Sequence, residues 1–98
     1  MYVGKLKVRL LHREARTLKD KRQVVQSVKD RLRNHFNVSV AEVEAQEDRQ
    51  VIVLGFALVS EASQQARTTL EQIVSALRCH PVTEFLGHEL EVERPDWD

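Results

Sequence analysis

Among the residues that could do chemistry, Cys79 is the single cysteine in 98 residues, and it stands next to His80. With no second cysteine, no intramolecular disulfide can form, which points to a reducing, cytoplasmic setting. His12, His35, His80 and His88 lack the close ligand spacings of a zinc site, so no metal is expected. Glu89, Glu91 and Glu93 alternate beside basic residues, stay ionised, and make poor general acids. The three glycines, at 4, 55 and 87, stand alone, so there is no glycine-rich phosphate loop. The expectation is a non-enzymatic protein without cofactor or metal.

The chemistry that does stand out is charge. Residues 1–35 hold eleven Lys/Arg against three Asp/Glu (+8), and residues 36–98 hold four against twelve (−8). Such a split marks either a nucleic-acid-binding end or two surfaces that neutralise each other. At 98 residues the chain is one domain with a single thin core, and 42% apolar residues suffice to build it. The N-terminal stretch carries charge inside its apolar alternation, so it reads as neither a signal peptide nor a membrane span. Arginine outnumbers lysine ten to five, with few glycines and prolines, a composition that hints at thermostability.

The elements that must position these charges follow from periodicity. Residues 2–12 alternate, with Leu6, Val8 and Leu10 on one face and Lys5, Lys7 and Arg9 on the other, which is a half-buried strand. Thr17 followed by Asp20 predicts a capped helix from Leu18 to about Asn34. Residues 36–44 predict a second strand, Gln46–Arg49 a polar turn, and Gln50–Ser60 an interior strand. Ser60 or Ser63 is expected to cap a second helix that Pro81 stops. Residues 83–93 form the last strand, and 94–98 a loosely held tail.

The order β-α-β-β-α-β predicts an α+β, ferredoxin-like plait: a four-stranded antiparallel sheet in the order 4-1-3-2, both helices on one face. The first and last strands are then neighbours, and Lys5, Lys7 and Arg9 can pair with Glu89, Glu91 and Glu93 on the open face. Also on that face stand Val51, Val53, Gly55, Ala57 and Val59 of the third strand. No aromatic is among them, which argues against base stacking of the RNA-recognition-motif kind. This row suits a partner instead, either a second copy of the chain in a homodimer or a peptide, and the bland alternative is a bare apolar patch.

The remaining basic residues gather in the first loop and helix. Arg13, Arg16, Lys19, Lys21, Arg22, Lys29 and Arg33 are the candidate contacts to nucleic-acid phosphates, with Arg22, Gln26, Lys29 and Arg33 near one exposed stripe. The competing reading is a solvated helix face with internal pairs such as Asp30 with Arg33. Acylphosphatases share the plait and need a loop arginine and a water-orienting asparagine. Arg16 and Asn37 are the nearest nominees, which gives a third, hydrolase reading.

The run Thr17–Arg22 (TLKDKR), the run Phe36–Val43 (FNVSVAEV), the start Val3–Leu6 (VGKL) and the core Val53–Gly55 (VLG) resemble the YlxP-like family of small bacterial proteins of unknown function. The likeness covers almost the whole chain. It implies a ferredoxin-like fold and supplies no catalytic residues. Its genes often lie near those for ribosome-binding factor A and translation initiation factors, which implies, by association, a role in ribosome maturation or translation and a partner in RNA or the ribosomal particle. In the second run Phe36 is expected to plug the core, and Glu42 to pair with a basic neighbour or fit a partner chain.

Overall fold

The computed structural model describes residues 1–98. Its elements are β1 (Tyr2–Leu11), α1 (Leu18–His35), β2 (Ser39–Glu44), β3 (Val51–Ser60), α2 (Ser63–Arg78) and β4 (Glu84–Glu93). The sheet order is β2-β3-β1-β4, with every neighbouring pair antiparallel. This is the predicted plait. The period-two alternation of β1 places Leu6, Val8 and Leu10 under the helices, where they join Ile52, Leu54 and Phe56 of β3 in one core. Helix α1 adds Val25, Val28 and Leu32, and α2 adds Ala66, Leu70, Ile73, Val74 and Leu77. Phe36 packs against this core from the end of α1.

Helix α1 starts with a reciprocal cap. Thr17 Oγ1 accepts from the Asp20 N–H at 3.1 Å, and the Asp20 carboxylate accepts from Thr17 N at 3.2 Å and Arg16 N at 3.0 Å. These backbone donors, Arg16 first, hold the Asp20 carboxyl below the usual carboxylate range. The expected serine cap of α2 is not what forms. Ala62 occupies the N-cap without a side-chain bond, because Ser60 lies two residues upstream and its Oγ accepts from Ala62 N at 3.1 Å instead. The tail is fastened. Asp98 N donates to Pro95 O at 3.1 Å, and the Asp98 carboxylate meets the Met1 ammonium and Arg94.

Two register shifts shape the outer strands. In β2, Glu42 faces Leu54 while Glu44 faces Val53, so Val43 is an extra residue. In β4, Gly87 faces Arg9 while Phe85 faces Leu10, so Leu86 is extra there. The β2–β3 connection begins at Ala45, whose φ of 58° is left-handed, an uncommon conformation for a residue with a side chain. Asp48 Oδ1 closes the turn by accepting from Gln50 N and Val51 N, both at 2.8 Å, and the Val51 and Gln50 N–H groups hold its carboxyl below the usual range.

Candidate nucleic-acid interface

The seven nominated phosphate contacts fall into three groups. Arg16, Lys19, Arg22 and Lys29 have no carboxylate partner, and all but the half-buried Lys29 are exposed. Arg13 and Arg33 are exposed but paired, Arg13 Nε with Glu84 at 2.7 Å and Arg33 Nη2 with Asp30 at 2.9 Å. Such surface pairs are exchangeable, so a phosphate can still compete for them.

Lys21 is a correction. Its side chain is 0% exposed, so it cannot touch a phosphate outside the protein. Lys21 lies on the inward stripe of α1 with Val25, Val28 and Leu32. Its Nζ donates to three backbone carbonyls: Ala45 at 2.7 Å and Gln46 at 3.3 Å in the β2–β3 connection, and Val51 at 3.1 Å at the start of β3. An ammonium has three donors, and these carbonyls use them all. Glu42 Oε2, 3.0 Å away and buried, therefore contributes charge balance without an aligned hydrogen bond. The Glu42 expectation thus resolves inside the chain, since its basic neighbour is Lys21.

One further cation belongs to this surface: Arg49 donates from Nη1 to Arg16 O at 3.3 Å. Arg31 is exposed and unpaired, but it stands on the other flank of α1, beside Ala76 and His80 at the end of α2. Arg49 was read as part of a polar turn. The plait brings that turn and the β1–α1 loop to the same end of the sheet, which was the available signal. Along α1, Lys19 to Lys29 spans ten residues, about 15 Å at 1.5 Å per residue. The result is a cationic strip of Arg16, Lys19, Arg22 and Lys29, with Arg49 at one end.

The open sheet face holds its charge differently. Lys5 contacts Glu91 and Glu93, each at 3.3 Å, and the side-chain bond to Glu91, then that to Glu93, pushes its pKa up. Arg9 reaches Glu89 at 2.7 Å by lying over Gly87, where a Cβ would come within 3.0 Å of its guanidinium. Lys7 departs from the expected pairing with β4 and contacts Glu44 of β2, crossing the strand at Gly55. Val53, nominated as a partner contact, is only 3% exposed. It sits in register between Arg9 and Glu44, whose long side chains can shield it. Val51 and Gly55 are half-buried, while Ala57 and Val59 are exposed. A shallow groove of about 490 Å³ runs across this face over Ala41, Gly55 and Ala57, with Val43, Lys5 and Lys7 in its walls.

The remaining candidate chemistry is not brought together. Arg16 and Asn37 flank opposite ends of α1, whose 18 residues span about 27 Å, so they cannot act on one phosphate. His12, just past the end of β1, is 7% exposed. His80 Nδ1 lies 3.3 Å from Val82 N and from Thr83 Oγ1, and burial, followed by the nearby Arg31 and His12 charges, pushes its pKa down. Cys79 is exposed and free. No group of three His, Cys, Asp or Glu side chains converges. No helix is long and apolar enough to cross a membrane.

Fold and surface define a small β-α-β-β-α-β domain of the ferredoxin-like kind with a cationic first helix. The chain belongs to the family described as Protein of unknown function (DUF503), whose model matches residues 3–90. It is 32% identical over 71 residues to the uncharacterized protein YlxP of Bacillus subtilis (strain 168), covering 72% of this chain and 77% of that one. Among solved structures it is similar to the de novo designed protein LFR1 1 with ferredoxin fold, at TM-score 0.54 and 14% identity, covering 98% of this chain and 88% of the other. A second designed protein, Ferredog-Diesel, gives TM-score 0.46 at 18% identity, covering 94% and 84%.

Proposed function

We propose that this chain is a non-enzymatic, cytoplasmic protein that binds RNA, free or in the ribosomal particle, through backbone phosphates. The single observation that carries the reading is the strip of unpaired cations on α1 and the loop before it: Arg16, Lys19, Arg22 and Lys29. Apart from Arg31 on the α2 side of the helix, the other basic residues of the first third of the chain have carboxylate partners. Cations left without internal partners on one helix face suit a repeating anion. Base readout is a minor part of the reading, because the sheet strands place no ring on the open face.

The test is a titration against a ribosomal RNA fragment and against ribosomal subunits at several salt concentrations. Four phosphate contacts predict a slope of log affinity on log salt of about −3 on single strands. The double variant Arg22→Glu/Lys29→Glu keeps its fold and melting temperature, loses most of its affinity, and flattens the slope by about 1.4. Equal binding by parent and variant overturns the proposal.

A further inference from the structure

The cations of the strip are not spread evenly along it. Arg16, Lys19 and Arg22 stand at the N-terminal end with Arg49 beside them, and Lys29 stands further on. Residues 23–28, between these two ends, carry no charge. Seven residues separate Arg22 from Lys29, so the two lie nearly in line, about two turns and about 10.5 Å apart. Gln23 and Gln26, both exposed, fill the outer face between them. Gln26 Nε2 donates to Asp30 Oδ1 at 2.8 Å, and Arg33 Nη2 donates to the same oxygen at 2.9 Å. The Asp30 charge is thereby neutralised, and the Gln26 amide oxygen makes no bond within the chain. Asp20, at the other end, is occupied by the backbone N–H groups of the cap.

Two cationic ends with neutral hydrogen-bonding side chains between them match two rows of phosphates on either side of a groove. The helix cannot adjust this spacing. Val25, Val28 and Leu32 bury its inner face, and the Lys21 ammonium fastens it to the β2–β3 connection and the start of β3. A fixed row of charges suits a polyanion whose phosphates are themselves held in place, which describes a duplex and not a flexible strand. Single strands are held by stacking their bases on aromatic rings, and the strip has none. His35, at the end of the helix, lies on the α2 flank with Arg31 and Gln72.

Among duplexes, the shape of the groove decides. The A-form helix of RNA has a major groove too deep and narrow for side chains, and a wide, shallow minor groove lined by 2′-hydroxyls. The minor groove of B-form DNA, about 6 Å wide, is narrower than the gap between the two ends. Its major groove, about 12 Å wide, admits a helix but presents no 2′-hydroxyl. We propose that the RNA taken by this surface is double-stranded, with α1 laid across the minor groove. Arg16, Lys19 and Arg22 then meet the phosphates of one strand, Lys29 those of the other, and the Gln26 amide oxygen accepts from ribose 2′-hydroxyls between them. This rests on the phosphate-binding reading of α1 and narrows it to one class of RNA. Such contacts select shape and are indifferent to base sequence.

The experiment titrates the full chain, by fluorescence anisotropy at matched salt, against a mixed-sequence RNA duplex, the DNA duplex of the same sequence and each RNA strand alone. The RNA duplex is expected to bind several-fold tighter than the DNA duplex and than either strand, and an RNA duplex of permuted sequence to bind equally well. Gln26→Leu removes no phosphate contact. It should narrow the preference for the RNA duplex over the DNA duplex and leave the salt dependence unchanged, with circular dichroism confirming the fold. A DNA duplex or a single strand bound as tightly as the RNA duplex overturns the inference and leaves the phosphate-binding reading standing. An undiminished preference in Gln26→Leu does the same. Binding to none of these nucleic acids at low salt overturns both.

Discussion

Two regions of this molecule are built from the same ingredients, bases from the first third of the chain and acids from the rest. On the open sheet face, Lys5, Lys7 and Arg9 meet glutamates in water, with side chains 37–51% exposed. At the corner where α1 crosses the β2–β3 connection, Lys21 meets Glu42 with its side chain fully enclosed. Exposed pairs are exchangeable and screened by salt, and contribute little to stability. An enclosed ammonium that uses every donor on backbone carbonyls fastens one element to another. Position, and not residue type, decides which cations are structural and which remain for a ligand. The +8 half is therefore neutralised in two ways, and most of the cations it leaves unpaired stand on the outer strip of α1 and the loop before it.

The comparison breaks most severely at Lys21. Lys21→Ala leaves the Glu42 carboxylate buried without its counter-charge and three carbonyls without a donor, at a cost of about 3–5 kcal/mol. The double variant Lys21→Met/Glu42→Leu removes both charges and should recover much of that loss. Urea unfolding of the two variants checks this, with Lys5→Ala as the contrast expected to leave the unfolding midpoint unchanged. Should Lys21→Ala be as mild as Lys5→Ala, the distinction between the two regions is lost.

A smaller effect lies one step along the same corner. Ala45 holds a left-handed backbone with its carbonyl on Lys21. Ala45→Gly removes the side-chain penalty of that conformation and should raise stability by about 1 kcal/mol at most, since glycine also frees the unfolded chain. A loss of stability would mean that the Ala45 methyl group packs more strongly than its backbone is strained.

The smallest effect is expected from acid. Asp20 and Asp48 have folded pKa values below their ordinary 3.8, because backbone N–H groups bond their ionised forms. For a depressed carboxylate, the stabilisation is fully present above the unfolded pKa and is lost as pH falls through the folded one. The cap of α1 and the β2–β3 turn should therefore loosen only below about pH 3.8. Carbon-detected titration of the two carboxyls reads this directly. Midpoints at or above the ordinary value would remove these bonds from the account.

Much of this was legible in the sequence, and what was missed has specific causes. Period-two and helical spacing marked all six elements, since burial on one face enforces both periods. The capping box at Thr17 was readable because it is local. Lys21 was not recognised, as it stands in a run of cations that looks solvated. Its spacing from Val25, Val28 and Leu32 was nonetheless the inward one, and Glu42 shares the inward parity of Val40. Two opposite charges on inward positions of packed elements were the signal. The extra residues Val43 and Leu86 left no such trace, because one added residue shifts register without changing composition. For the same reason Lys7 was assigned to β4, when it reaches Glu44 across Gly55.

Those two irregularities also bear on solubility. An outer strand with unpaired backbone groups is a template for aggregation by strand addition. Here β2 has six residues and ends in a bulge followed by a left-handed turn, while β4 carries its own bulge and a row of glutamates. The β2 rim is therefore too short and bent to template an incoming strand, and on the longer β4 rim Glu89, Glu91 and Glu93 set like charges against a second copy of the same edge.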